Sequence, residues 1–68
     1  MKSKRFTVCV KLNVPGSSYF ELGHYYAFDA DAAIIEAKHM GHLKEFMIEP
    51  FAFDSKKFMF INGQKIKR

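Results

Sequence analysis

Residues 25–41 read YYAFDADAAIIEAKHMG, and within them the spacing of apolar side chains changes from every second residue to every third or fourth. Alternation is typical of a strand with one buried face, whereas spacing of three and four is typical of an amphipathic helix. Asp31, or alternatively Asp29, is suited to cap the first turn, and Gly41 is suited to end the helix. The stretch therefore predicts a strand followed by a helix over residues 29–41, whose buried stripe comprises Ala30, Ala33, Ile34, Ala37 and Met40.

Two alternating runs precede this helix. Residues 6–14 place Phe6, Val8, Val10, Leu12 and Val14 on one side. After the turn residues 15–18, a second run places Phe20, Leu22, His24, Tyr26 and Phe28 on one side and Tyr19, Glu21, Gly23, Tyr25 and Ala27 on the other. These runs predict an antiparallel hairpin, in which Gly23 marks a bulge or a close crossing.

The chain after the helix predicts further strands. Residues 46–53 form a third strand that Pro50 restricts to a sheet edge or a bulge, and residues 58–61 form a fourth. Asn62 and Gly63 favour a type I′ turn, which makes residues 64–67 a candidate fifth strand. We therefore expect a single α+β domain over residues 1–68, with basic flexible ends near 1–4 and 66–68. Its order is β-β-α-β-β, with an antiparallel sheet of four strands, or five, and one helix on one face.

Composition excludes several classes of protein. The 68 residues are 49% hydrophobic and include eight Phe and three Tyr, which is typical of a globular domain and not of a disordered chain. A single cysteine, Cys9, excludes an internal disulfide and favours a reducing compartment. No apolar run approaches the ~18 residues that a membrane span needs.

Charge is unevenly distributed along the chain. All seven acidic residues lie between positions 21 and 54, whereas nine of the eleven basic residues lie outside that window. This distribution predicts a basic surface that meets phosphate or an acidic protein, if the two flanks come together. The alternative is that folding interleaves the two sets of charges.

One helix covers one face of the predicted sheet, which leaves an aromatic surface on the other face. On the predicted alternation, that surface exposes Tyr19 and Tyr25. An exposed aromatic surface on a small domain favours a partner, namely a second copy, another protein or stacked bases. The alternative is that loops and termini fold over this face.

The sequence contains no catalytic, cofactor-binding or metal-binding motif. Cys9, His24, His39 and His42 are the candidate soft or imidazole ligands, and they include a single pair three residues apart. A structural zinc site takes four ligands in paired short spacings. Cys9 also lies within a strand, away from any glycine-rich turn that could help to build a nucleophile's site. We therefore expect no enzyme activity, no cofactor and no metal.

The strand end at residues 25–28 and the acid-capped, alanine-spaced helix at 29–38 resemble small phage-encoded β-β-α-β-β proteins, including some small anti-CRISPR inhibitors. The resemblance covers residues 20–61 in element order and assigns no functional residue by position. It implies a phage or mobile-element origin, a location in the cytoplasm of a bacterial host, and binding to a host complex.

These observations predict a small non-enzymatic binding module, a phage-type inhibitor or modulator that docks on a host protein or nucleoprotein complex. The alternative is direct binding of DNA or RNA through the basic flanks and exposed aromatics. No membrane contact is expected, and a homodimer is an alternative assembly. The predicted contact residues are Tyr19, Tyr25, Lys2, Lys4, Arg5, Lys56, Lys57, Lys65, Lys67 and Arg68.

Overall fold

The computed structural model describes residues 3–68. It contains five strands and one helix: β1 (Lys4–Leu12), β2 (Phe20–Ala27), α1 (Ala30–His39), β3 (Met47–Asp54), β4 (Phe58–Ile61) and β5 (Gln64–Lys67). The predicted α+β class, the single helix and the antiparallel strands are confirmed. The bounds of β4 and β5 are those expected from the sequence, because the turn at Asn62 and Gly63 is a local signal.

The strands form two sheets, so the prediction of one sheet with four or five strands is wrong. A three-stranded antiparallel sheet has the order β2-β1-β3, and β4 pairs with β5 in a separate hairpin. The β4–β5 hairpin packs on the three-stranded sheet through side chains. The ring centroids of Phe53 and Phe58 are 6.1 Å apart, and those of Phe51 and Phe60 are 6.4 Å apart. Packing the aromatic side of the hairpin on that of the sheet in this way shields both sides from water, which pairing β4 on the edge of β3 would not do.

Helix α1 packs on the opposite face of the same sheet and contacts all three of its strands. Ala33 and Ala37 are fully buried there against Phe6 and Val8, because the small alanine side chains allow the helix to lie close to the sheet. Met40 is exposed, contrary to the predicted stripe, since the helix ends at His39 and Met40 is its C-cap.

Asp29 is the N-cap of α1. Its Oδ1 accepts a hydrogen bond from the backbone N–H of Ala32 at 2.8 Å. Of the two acids considered from the sequence, Asp31 lies in the first turn instead, where its charge suits the positive end of the helix dipole.

The predicted phase of β2 is wrong beyond its first residues. The β1–β2 register shifts between Val8 and Cys9, so that β2 carries one extra residue opposite β1. A bulge of this kind reverses which side chains face each side of a sheet. Tyr25 and Ala27 therefore face the helix, whereas Tyr26 faces away from the core. Gly23 lies next to this irregularity, as its sequence signal suggested.

A second irregularity lies in β3, where Pro50 was expected at an edge or a bulge. The β1–β3 register shifts between Cys9 and Lys11, opposite the segment that contains Glu49 and Pro50. Glu49 has a φ of 51°, in the left-handed region that few non-glycine residues adopt. The prediction of a bulge in this strand is confirmed.

The face opposite the helix is covered by the chain itself. Thr7, Cys9 and Phe53 are buried on that face, and the aromatic side chains of β4 are half-buried against it. The C-terminal hairpin occupies the aromatic face from which a homodimer was inferred, and the homodimer itself stays a prediction. The sequence-based alternative, in which a terminus folds over this face, describes the structure.

The ends of the described chain are hydrogen-bonded. Lys4 begins β1, residues 66 and 67 belong to β5, and Arg68 holds three hydrogen bonds. Flexible ends near 1–4 and 66–68 stay a prediction, of which residues 1 and 2 lie outside the described residues. Helix α1 is ten residues long, and no helix in the described part of the chain has the length and apolarity to span a bilayer.

Candidate functional site

Ser55, in the turn between β3 and β4, connects three parts of the chain. Its N–H donates to the carbonyl oxygen of Arg5 at 3.0 Å, and its own carbonyl oxygen accepts from Nε of Arg68 at 2.9 Å. Its Oγ shares a hydrogen bond of 2.7 Å with Oγ1 of Thr7. Only 2% of the Ser55 surface is exposed. The start of β1 and the end of the chain are therefore held on either side of one buried residue.

Arg68 is attached to the same turn at two further points. Its backbone N–H donates to the carbonyl oxygen of Lys57 at 2.9 Å, and its Nε also donates to the carbonyl oxygen of Phe58 at 3.1 Å. Within residues 3–68, Nε is the only guanidinium nitrogen of Arg68 that forms a hydrogen bond. Its two terminal nitrogens, which are the paired donors that arginine presents to phosphate, remain available.

The strand registers bring the two basic flanks of the sequence to one end of the domain. Phe6 pairs with Asp54, so the start of β1 lies beside the end of β3, and Phe58 pairs with Lys67, so the start of β4 lies beside the end of β5. We call this region the basic end, and it comprises Lys4, Arg5, Lys56, Lys57, Lys67 and Arg68. Lys65 adds to it, because its Nζ lies 4.7 Å from the ring centroid of Phe58.

The charges of the basic end are not paired. Among the described residues, the ion pairs are those of Lys11 with Glu49 at 3.0 Å and of His24 with Glu21 at 3.5 Å, and neither involves the basic end. The hydrogen bond to Glu49 raises the pKa of Lys11, which is the one lysine with an acidic partner among the described residues of the N-terminal flank. Unpaired cations at one end produce a local positive potential.

Three acidic residues lie near this end. Asp54 is adjacent to the turn, and its Oδ1 accepts from the backbone N–H of Lys56 at 2.9 Å. Asp29 and Asp31 follow β2, whose last residue pairs with Lys4, and they serve the start of the helix. Seven basic residues, Lys65 included, against these three carboxylates leave the end net positive.

A pocket of about 490 Å³ opens within the basic end. It lies between the start of β1, the end of β2 and the β3–β4 turn, and is lined by Ser3, Lys4, Arg5, Tyr26, Asp54 and Lys56. Tyr26 is 70% exposed and is the one aromatic side chain in the lining. Sequence reasoning missed Tyr26 because regular alternation placed it on the buried side; the signal that could have found it is Gly23, as the site of a phase change.

Two of the predicted contact residues that the structure describes, Tyr25 and Tyr19, are not part of this site. Tyr25 is only 5% exposed, and its hydroxyl shares a 2.8 Å hydrogen bond with Nδ1 of His42, so its predicted exposure is wrong. Burial also raises the pKa of Tyr25. Tyr19 is half-buried edge-on against Phe51, at a centroid distance of 4.9 Å, near the β4–β5 turn and away from the basic end. Lys2 lies outside the described residues.

A second polar cluster was not anticipated from the sequence. Oε2 of Glu21 lies 3.5 Å from Nε2 of His24, whose Nδ1 lies 3.3 Å from Oγ1 of Thr7. The order of acid, imidazole and hydroxyl is that of a nucleophilic triad, but a nucleophile needs an accessible oxygen and a short bond to its base. Thr7 is buried and its shortest bond is to Ser55, so this cluster is best explained as one that satisfies buried hydroxyl groups.

Cys9 lies in the middle of β1 and is fully buried. Burial, with a smaller contribution from the charge of Glu21, raises the pKa of its thiol to about 12. A thiol with so high a pKa is a poor nucleophile at neutral pH, because the thiolate is the reactive form. Within residues 3–68, no group of three or more His, Cys, Asp or Glu side chains is arranged to hold a metal ion.

Comparison of the chain with protein-family models, with curated proteins and with solved structures finds no match in any of the three.

Proposed function

We propose that this chain is a small non-enzymatic binding module that docks on nucleic acid, either free or within a host nucleoprotein complex, through its basic end. The observation that carries the proposal is the meeting of β1, the β3–β4 turn and the end of β5 around Ser55. Seven basic residues, Lys65 included, are separated by up to 64 positions in sequence and share one end, and no carboxylate among residues 3–68 forms an ion pair with them. Phosphate groups are the partners that such an end attracts.

The proposed contact is with the backbone and not with base edges of a duplex. Exposed lysine and arginine side chains neutralise phosphates and release counterions, which gives affinity without sequence preference. The helix is a poor reader of the major groove, because it begins with Asp29 and Asp31 and packs its alanine stripe on the sheet.

Salt dependence of duplex binding tests this proposal. We compare the double variant Lys56→Gln, Lys57→Gln with the double variant Lys38→Gln, Lys44→Gln. Both remove two positive charges, but Lys38 lies in the last turn of α1 and Lys44 beyond it, away from the basic end. Fluorescence anisotropy with a labelled 20-base-pair duplex, read at several salt concentrations, gives the slope of log K against log salt.

Each phosphate contact contributes a slope of about −0.9 on duplex DNA. We expect the Lys56, Lys57 variant to lose affinity and to have a slope shallower by about two contacts, while the Lys38, Lys44 variant retains the parent slope. Equal losses in the two variants would mean that only net charge matters. Absence of salt-sensitive binding by the parent would reject contact with the duplex backbone.

A second candidate is a phage-type inhibitor that docks on a host protein. It is favoured by large apolar side chains that the fold leaves exposed on and beside α1, in particular Ile35 and Met40. The two candidate functions are separated by measuring binding to the purified partner complex before and after nuclease removes its nucleic acid. Binding that survives nuclease treatment, is insensitive to salt and is lost on Ile35→Glu would favour the protein-directed function.

A further inference from the structure

We infer that the pocket beside Tyr26 takes an unpaired nucleotide, so that the basic end prefers single-stranded nucleic acid to duplex. This inference rests on the proposed function and names the class of ligand at the same site. The pocket combines one exposed aromatic ring with three cationic side chains, those of Lys4, Arg5 and Lys56. An aromatic platform within a basic groove is the arrangement that binds single strands, since bases stack on the ring while cations contact the backbone.

The position of Tyr26 supports stacking. It lies on β2 directly opposite Arg5 of β1, and β2 is an edge strand of the sheet. The side chain is 70% exposed although the residue belongs to a regular ladder. Neither a hydrogen bond nor an aromatic contact of its side chain is present within residues 3–68. The ring is therefore held by its backbone at the pocket and has a face available for a ligand.

Asp54 gives the pocket a mixed character that suits a base better than a bare phosphate. One carboxylate oxygen accepts from the N–H of Lys56, which leaves the other oxygen as an acceptor at the pocket wall. A carboxylate repels phosphate but accepts hydrogen bonds from the amino groups of bases. The phosphates are then expected at the surrounding lysine and arginine side chains, with the base between Tyr26 and Asp54.

A duplex cannot place a base in this pocket unless its base pairs open locally. Its bases are stacked on one another inside the helix, so a ring on the protein surface does not reach their faces. A single strand offers unstacked bases and the same phosphate charge. The volume of about 490 Å³ lies within the range of about 300–1,000 Å³ usual for small-ligand sites, so that a nucleotide fits.

The test measures the affinity of the full chain for a labelled 12-nucleotide mixed-sequence single strand and for the corresponding duplex. The variants are Tyr26→Ala and Tyr26→Phe, and the matched control is Phe28→Ala, an exposed aromatic two residues away that does not line the pocket. Loss of one stacked base weakens binding by about 5- to 150-fold. We expect this loss for Tyr26→Ala on the single strand alone, near-parent binding for Tyr26→Phe, and no change for Phe28→Ala.

The outcomes separate the two proposals. Equal affinity of the parent for both probes, or equal effects of Tyr26→Ala on both, would overturn the single-strand assignment and leave the basic end as a phosphate-binding surface. Salt-sensitive binding to neither probe would overturn both proposals. If Phe28→Ala weakened binding as much as Tyr26→Ala, the assignment of the pocket would also be overturned, because the effect would not be specific to the aromatic ring that lines it.

Discussion

Nε of Arg68 donates a hydrogen bond to the carbonyl oxygen of Ser55 at 2.9 Å, across thirteen positions of sequence. The N–H of Ser55 in turn donates to the carbonyl oxygen of Arg5 at 3.0 Å. A single buried serine thus joins the start of β1 to the end of the described chain. Ser55 is hydrogen-bonded to two arginines, Arg5 and Arg68. The contacts that hold the C-terminal hairpin in place therefore also bring two positive charges to the same end of the domain.

Arg68→Lys tests this contact with the charge retained. Lysine has no Nε–H in the planar fork, so the bonds to Ser55 and Phe58 are lost. We expect the free energy of unfolding to fall by about 0.5–1.5 kcal/mol, measured by urea denaturation. Arg5→Lys is the control, since Arg5 contributes its backbone carbonyl to the network, and it should change stability by less than about 0.5 kcal/mol. Equal effects of the two changes would contradict the structural role of Arg68.

The buried hydroxyl pair of Thr7 and Ser55 predicts strong coupling in a double-mutant cycle. Ser55→Ala removes one partner of the 2.7 Å bond, and Thr7→Val removes the other. Each single change should cost about 1–3 kcal/mol, because it leaves a buried hydroxyl with a weaker partner or none. The double variant should cost less than the sum of the singles. Strict additivity in thermal or urea unfolding would show that the two hydroxyls do not interact.

The N-cap predicts a difference between two neighbouring acids. Asp29→Ala removes the bond to the N–H of Ala32 and should cost about 0.5–2 kcal/mol of stability. Asp31→Ala removes only a favourable charge in the first turn, and its effect should be about 0.3–1 kcal/mol at low salt and smaller at high salt. If Asp31→Ala lost more stability than Asp29→Ala in 0.5 M salt, Asp31 and not Asp29 would be the N-cap.

The helix phase predicts opposite responses to the same substitution at two positions two residues apart. Ala37 is fully buried against the sheet, whereas Ile35 is 66% exposed. Ala37→Glu should prevent stable folding, because it places a charge without a partner in the helix–sheet contact. Ile35→Glu should retain the parent circular dichroism spectrum and a similar melting temperature. A folded Ala37→Glu variant would show that α1 is rotated relative to the sheet.

The thiol of Cys9 predicts a loss of stability at alkaline pH. Its pKa is raised from 9.0 to about 12 in the folded chain, chiefly by burial. Between these two values the unfolded chain releases the thiol proton while the folded chain retains it, so the free energy of unfolding falls as pH rises. Below pH 9 this contribution is absent.

The measurement is urea denaturation of the parent and of Cys9→Ala between pH 8 and 11. Tyr25, whose pKa is also raised by burial, contributes a decline in the same direction to both proteins. The difference between the two curves therefore isolates Cys9, and the parent should lose more stability than the variant as pH rises. Parallel curves would indicate that the thiol is accessible to solvent in the folded state.

Local signals in the sequence were sufficient for the elements themselves. The spacing of Ala33 and Ala37 predicted the buried stripe of α1, and the pair Asn62 and Gly63 predicted the β4–β5 turn. Such signals depend on residues within one or two turns of each other, where backbone preference and side-chain periodicity act directly. Met40 was misassigned to the stripe because the helix ends one residue before it.

Local signals could not predict which side chains of β2 face the helix and which face away from it. One extra residue near Gly23 exchanges the two faces, so that Tyr25 enters the core and Tyr26 lines the pocket. Alternation in sequence is equally regular for both phases, because each of the two sets contains large apolar side chains. Packing against α1, together with the bond between Tyr25 and His42 in the segment after the helix, decides between them.

By itself, the sequence determined the class of the fold, the helix, the short C-terminal hairpin and the separation of charge into basic flanks and an acidic middle. Tertiary structure alone decided that the hairpin covers the second face of the sheet and that the two flanks meet at one end. The physical reason is distance along the chain. Arg5 and Arg68 become neighbours only through Ser55, and bonds between residues so far apart in sequence form when the core is packed.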